Sequence, residues 1–265
     1  MNDFLYRIPH WAMGVYVVGV TTAVSGALYA MVHRFLRPKL TAEEAAAGPA
    51  FAGILATVTS LLLAFTAVSV WEAFKSADGA ATNEATAATM LARDIASLDG
   101  KPANAAREEL RGYLNSVVEK EWPVLEKGET SQDSRLRLDH IFRAVALIEP
   151  KTKRDEIITA EVWGRLNELA RYRRERIMSS RARVPQTLWA VVIIGTLLTV
   201  VCAGTIKPNA FGWAMVLSVG VSFGLVFFFI LAMDRPFSGL ERVGPDAIQE
   251  TLNNMEFWDT TPKRR

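Results

Sequence analysis

Hydrophobic and polar positions divide this chain into four long apolar runs, two on each side of a charged middle. The runs cover residues 11–33, 50–74, 187–206 and 210–233. Each is close to or above the roughly 20 residues that a helix needs to cross a hydrocarbon core about 30 Å thick. None has Asp, Glu, Lys or Arg in its central part. The pattern predicts an all-α membrane protein with four transmembrane helices and a helical domain inserted between the second and third. The implied divisions are 1–74 (N-terminal segment and first two spans), 75–186 (insert), 187–233 (last two spans) and 234–265 (tail).

Helical spacing continues through the insert. Residues 77–98 are rich in Ala and Thr, and Asp99-Gly100-Lys101-Pro102 is a stop, turn and restart signal. Leu110, Tyr113, Leu114, Val117 and Val118 then recur at three- and four-residue spacing, which makes one apolar face. Pro123, and then the stretch from Gly128 to Asp133, are expected to break that helix. Leu138, Ile141, Phe142, Val145 and Ile148 predict a third helix, ended by Pro150. A fourth carries Ile157, Ile158, Val162, Leu166 and Leu169 and is expected to run to Arg183, before Pro185. No run alternates as a half-buried strand does. The absence of a breaker between Trp71 and Ala77 predicts a second span continuous with the insert. After the fourth span, Pro236 ends a helix, Gly239 permits a turn, and residues 246–257 read as a short helix.

Composition agrees with this division. Half the residues are hydrophobic, 22% are charged, and the net charge is +2, as four uncharged spans and a charged insert should average. The near-neutral total argues against nucleic acid as a partner. Cys202 is alone, so no intrachain disulfide forms. The first ten residues hold Asp3 and only Arg7 as a strong base, and the apolar run after them is long for a signal peptide. It is read as a retained span.

Basic residues orient the spans. Arg171, Arg173, Arg174, Arg176, Arg181 and Arg183 crowd the approach to the third span, whereas the connection between spans three and four carries only Lys207. By the positive-inside rule, the insert and both termini are cytoplasmic. Arg34, Arg37 and Lys39 in the first connection disagree, but the larger cluster at a membrane boundary outweighs them.

No catalytic or metal-ligating signature is present, no cofactor is implied, and an enzyme is not expected. The second span is the most polar. Thr59, Thr66 and Ser69 fall roughly on one face, Glu72 lies near its end, and Leu62, Thr66, Val70 and Phe74 form a four-residue ladder. These are candidate pore-lining residues: hydroxyls as weak ion partners and apolar rings as a dewetting gate. Helix packing is the competing reading. Glu72 can pair with Lys75, three residues on. Gly220 and Gly224 predict close helix approach, within or between subunits. The arginine run is a topology determinant, a site for anionic lipids, or the wall of an anion-concentrating vestibule.

Several motifs resemble a known family. They are Asn83-Glu84-Ala85, Tyr113, Glu121-Trp122-Pro123, the Arg181, Pro185 and Trp189 entry to the third span, and Asp234-Arg235-Pro236-Phe237-Ser238-Gly239. Together they resemble the bacterial bestrophin-like membrane proteins, over about residues 10–250. That family is named for its likeness to bestrophins, which are pentameric anion channels. The resemblance implies a homo-oligomer, a pore lined by the second span, and tail packing through Asp234, Arg235, Pro236, Phe237 and Gly239 beside the insert. The calcium-binding acidic cluster of animal bestrophins is missing, with only Asp246 and Glu250 at a useful distance.

Two function classes follow. One is a homo-oligomeric, pentameric channel of the bacterial inner membrane that passes inorganic anions such as chloride. The other is a membrane-anchored scaffold or signalling protein whose insert binds a partner.

Overall fold

The computed structural model describes residues 9–125, 127–238 and 241–260. The described chain is helical. Its elements are α1 (His10–Met31), α2 (Ala42–Ala96), α3 (Lys101–Ser116), α4 (Trp122–Leu125), α5 (Gln132–Ala146), α6 (Lys153–Ser180), α7 (Gln186–Ala203), α8 (Ala210–Met233) and α9 (Asp246–Thr260). Four of them, α1, α2, α7 and α8, are long and apolar enough to cross a membrane. A helix satisfies its own backbone polar groups, as an apolar solvent requires.

The second span begins earlier than its apolar run. Thr41 and Glu44 form a reciprocal cap: the Thr41 hydroxyl accepts from the Glu44 N–H at 3.2 Å, and Glu44 Oε2 accepts from the Thr41 N–H at 2.7 Å. This cap starts α2 eight residues before the expected position 50. Pro49 lies inside the helix without ending it. From there α2 continues unbroken to Ala96, 55 residues in all.

Two π-turns explain how prolines are accommodated elsewhere. Val32–Leu36 and Val117–Glu121 are both π-helical. Each closes with an N–H reaching back five residues, Arg37 to Val32 and Trp122 to Val117, and each closing residue precedes a proline. The wider turn absorbs the carbonyl clash and missing donor that proline brings. Pro123 therefore does not break its helix, contrary to the sequence expectation. α4 continues to Leu125, and the turn comes at Gly128, where φ is +72°.

The expected helix through Arg183 is also corrected: α6 stops at Ser180. Pro185 disfavours helical geometry at Val184. The Val184 N–H instead donates to Asp234 Oδ1 at 2.8 Å.

The chain forms two compact units. Among the described residues, the first comprises 9–72, 183–234 and 241 and holds α1, the first part of α2, α7 and α8. Here α8 packs on α1 through glycines. A Cβ on Gly224 would lie 2.9 Å from the Val18 Cα, and one on Gly220 2.7 Å from the Ser25 hydroxyl. The close approach that the sequence predicts is thus an intrasubunit one. At the end of α1, the Tyr29 hydroxyl donates to the Lys207 carbonyl at 2.9 Å, and Tyr29 meets Trp213 edge-to-face.

Among the described residues, the second unit comprises 73–125, 127–182, 235–238 and 242–260. Its core joins the rest of α2 to α3, α5, α6 and α9 through Leu91, Leu110, Leu114, Ile141, Leu166 and Met255, each fully buried. Burying side chains of this size stabilises by about 1.5–3 kcal/mol each. A capping box starts α6: the Thr152 hydroxyl accepts from the Asp155 N–H, and the Asp155 carboxylate accepts from the Thr152 N–H.

Candidate functional site

The first candidate is the membrane part of α2. Successive helical residues turn by about 100°, so Thr59, Thr66 and Val70 share a side while Leu61, Val68 and Glu72 lie opposite. Thr59, Leu63, Thr66 and Val70 are all buried within the protomer. Thr59 faces Gly195 of α7, where an added Cβ would come within 2.6 Å of its hydroxyl. Thr66 donates to the Leu62 carbonyl at 2.8 Å and has no hydroxyl proton left for an ion.

The polar face expected from sequence is therefore divided. Thr59 and Thr66 point into the bundle, Ser69 is exposed, Leu62 is half-buried, and Glu72 is exposed. Phe74 packs against the core of the second unit. The reason is α7: its small Gly195 takes up the β-branched Thr59, so packing claims that side. The uncovered side is apolar, with Ile54 61%, Leu61 56%, Phe65 65% and Val68 54% exposed. A groove of about 710 Å³ also runs between α2 and α8, with Ser60, Ser218 and Ser222 among largely apolar walls. Ser218 and Ser222 donate to carbonyls of their own helix, which leaves the groove little polarity to offer.

The second candidate is a buried ionic network in the inserted domain. Arg176 is fully buried on α6. Its Nε donates to Glu84 Oε2 at 2.6 Å, and its Nη2 donates to Glu84 Oε1 at 3.1 Å and to Glu121 Oε1 at 2.8 Å. Arg173 Nη2 donates to Glu121 Oε2 at 2.5 Å, and the Tyr113 hydroxyl donates to Glu84 Oε1 at 2.5 Å. The Arg176 guanidinium also lies 4.8 Å from the Trp122 ring centroid. Two arginines thus balance two glutamates in a buried core, where unpaired charges would be prohibitive.

Electrostatics hold the Tyr113 hydroxyl and the Arg176 guanidinium protonated. Burial, and next the Glu84 carboxylate, push the Tyr113 hydroxyl well above its ordinary range, so it remains a donor. Burial opposes the Arg176 charge, but Glu84 and then Glu121 outweigh it and hold the guanidinium above the usual arginine range. The network is a charge-balanced clamp joining α2, α3, the π-turn and α6.

The sequence carries a signal for this clamp in the spacing of α6. Val162, Leu166 and Leu169 define the buried side of α6, and Arg173, Arg176 and Ser180 continue their three- and four-residue spacing. An arginine in a core stripe calls for a buried acid, and Glu84 is the charge within an alanine-rich face.

The tail packs through Phe237 and Val243. Phe237 is buried and meets Trp122 edge-to-face at 5.7 Å. The Trp122 indole donates to the Val243 carbonyl at 3.2 Å, and the Val243 N–H donates to the Pro236 carbonyl at 2.7 Å. Asp234 instead belongs to the first unit, through Val184. Arg235 is half-buried in the second unit. Gly239 lies outside the described residues.

Comparison with known proteins agrees with this architecture. Two solved structures share the fold. A bacterial bestrophin homologue from Klebsiella pneumoniae, solved with a leucine-to-threonine mutation, is 12% identical with a TM-score of 0.70, and the match covers 94% of this chain and 99% of that one. A crystal structure of a membrane protein variant is 10% identical with a TM-score of 0.69, again over 94% and 99%. No curated protein matches the sequence. The family model of the Bestrophin-like domain matches residues 18–248. With that match over most of its length, four apolar helices and a helical insert, the chain belongs to the bestrophin-like domain family.

Proposed function

We propose that this chain assembles with copies of itself into an ion channel of the bacterial inner membrane, with its insert and termini in the cytoplasm. The observation that carries the reading is the uncovered apolar side of α2. Ile54, Leu61, Phe65 and Val68 are each more than half exposed in the protomer. Around a central axis, rings of these residues form a narrow dewetting conduit. This side replaces the Thr59, Thr66 and Val70 side as the proposed lining. Ser69 and Glu72 remain candidates, because they are exposed. A pentamer is the proposed assembly, by likeness to bestrophins.

Inorganic anions such as chloride are the proposed permeant ions, supported by family resemblance and by the arginines of α6. Glu72 favours a second reading. A ring of exposed carboxylates at one end of the conduit draws cations.

The test begins with the native mass of the purified protein in mild detergent. A closed ring supports the channel; a monomer or dimer stable across detergents overturns it in favour of an anchored interaction module. Flux from liposomes follows. Leu61→Ala and Phe65→Ala are expected to raise flux, whereas unchanged flux in both removes α2 as the lining. The reversal potential in a potassium chloride gradient decides between anions and cations.

A further inference from the structure

The inserted domain carries a second charged feature outside the clamp. A groove of about 440 Å³ lies between α5 and α6 and is lined by Arg135, Arg171, Arg173, Arg174, Asp139 and Phe142, among others. That volume lies within the range of small-molecule sites. We propose that this groove binds phosphate esters.

The charge balance sets it apart from an ordinary solvated helix face. Arg165 and Lys153, elsewhere on α6, have close carboxylates: Arg165 has Glu161 and Glu168 at 2.8 and 2.9 Å, and Lys153 has Glu156 at 2.6 Å. Arg135 and Arg174 are exposed, and neither has an ion-pair partner among the described residues. Arg171 has only a 3.8 Å approach to Glu175 and rests on the Tyr172 ring. Arg173 is balanced by Glu121, but its Nε is buried without a hydrogen-bond partner. With Arg173 neutralised, three arginines face the single carboxylate of Asp139 in the groove lining.

The chemistry of the walls selects the ligand. Guanidinium forks match tetrahedral phosphate oxygens and bind them in pairs. Phe142, Leu138 and Ile177 supply an apolar wall, which suits a phosphate carried on an organic body. The phosphate can be that of a soluble nucleotide or of a lipid headgroup. The site rests on α5 and α6 alone, so it stands or falls independently of ion conduction.

The test is calorimetric titration of the intact protein in neutral detergent with ATP, with inorganic pyrophosphate, and with dihexanoyl phosphatidylglycerol against dihexanoyl phosphatidylcholine. The double variant Arg135→Ala/Arg174→Ala should weaken phosphate binding by about tenfold or more, as the loss of charge-assisted hydrogen bonds requires. The charge-matched control Lys151→Ala/Arg154→Ala, at exposed positions outside the groove lining, should leave it unchanged. Binding of ATP and pyrophosphate assigns a soluble ligand, and binding of phosphatidylglycerol alone assigns a headgroup; both support the site. The proposal is overturned if no probe binds, if the double variant binds as the parent does, or if sodium sulfate or sodium acetate displaces ATP at equal concentration.

Discussion

Arg176 and Glu84 form a bidentate ion pair with both side chains wholly buried, at 2.6 and 3.1 Å. The two residues are 92 positions apart. Their pairing therefore draws α2 and α6 together within the inserted domain, and Glu121 adds the π-turn to the same guanidinium.

Breaking this pair should be costly. Removing one partner leaves the other charge buried and unpaired, a loss of about 3–5 kcal/mol. Glu84→Ala and Arg176→Ala should each show it in chemical denaturation of the detergent-solubilised protein. The double variant Glu84→Ala/Arg176→Ala should cost less than the sum of the single changes, because no lone charge then remains. Additive losses would show that the two side chains are not energetically coupled.

Acid sensitivity should come from Asp133. Hydrogen bonds from Ser116 and Lys120, then Arg137, hold its carboxyl down at about 2. The folded state thus keeps Asp133 ionised when the unfolded chain has already taken up a proton. The contribution is present above the ordinary Asp range near 3.8 and is lost as pH falls towards 2. Asp133→Asn should be less stable than the parent at pH 6, and the two should converge between pH 4 and pH 2. Melting curves across that range check this, and a difference that persists at pH 2 would assign the effect to something other than ionisation.

Helix contact in the membrane unit should depend on Gly224. A Cβ there meets the Val18 backbone at 2.9 Å, so Gly224→Val forces α8 away from α1. The expected loss is about 1–3 kcal/mol, as for overpacked cores. Gly19 has nothing within 4 Å of an added Cβ, so Gly19→Ala should be tolerated. Thermal inactivation of the two variants in one detergent makes the comparison.

Tail docking should respond to Phe237 and Trp122. Phe237→Ala removes a buried ring and should cost about 3–5 kcal/mol. Trp122→Phe keeps an aromatic ring but removes the indole donor to Val243, and should cost about 1 kcal/mol. Limited proteolysis should cut first after position 238 in Phe237→Ala if the ring holds the tail. An unchanged cleavage pattern would assign that role to the α9 contacts.

Local signals in the sequence carried the secondary structure. The four apolar runs, the Asp99-Gly100-Lys101-Pro102 restart and the continuity past Trp71 are legible because each depends on neighbours in sequence. Other features are not legible locally. The π-turn before Pro123 leaves no compositional mark. Spacing puts Thr59, Thr66 and Ser69 roughly on one side of a helix but does not say what covers that side; in the fold Thr59 and Thr66 are buried and Ser69 is exposed.

The sequence by itself determined four apolar segments, a helical insert and the amphipathic stripe of α6, since hydrophobicity and helical period are properties of contiguous residues. Only the tertiary structure decided that Thr59 and Thr66 are buried, that Gly224 meets α1, and that Arg176 meets both Glu84 and Glu121. Those outcomes depend on which helix lies alongside. For Glu84 and Arg176 the physical reason is desolvation: the fold removes water from both charges at once, and their mutual attraction offsets a cost that neither could bear alone.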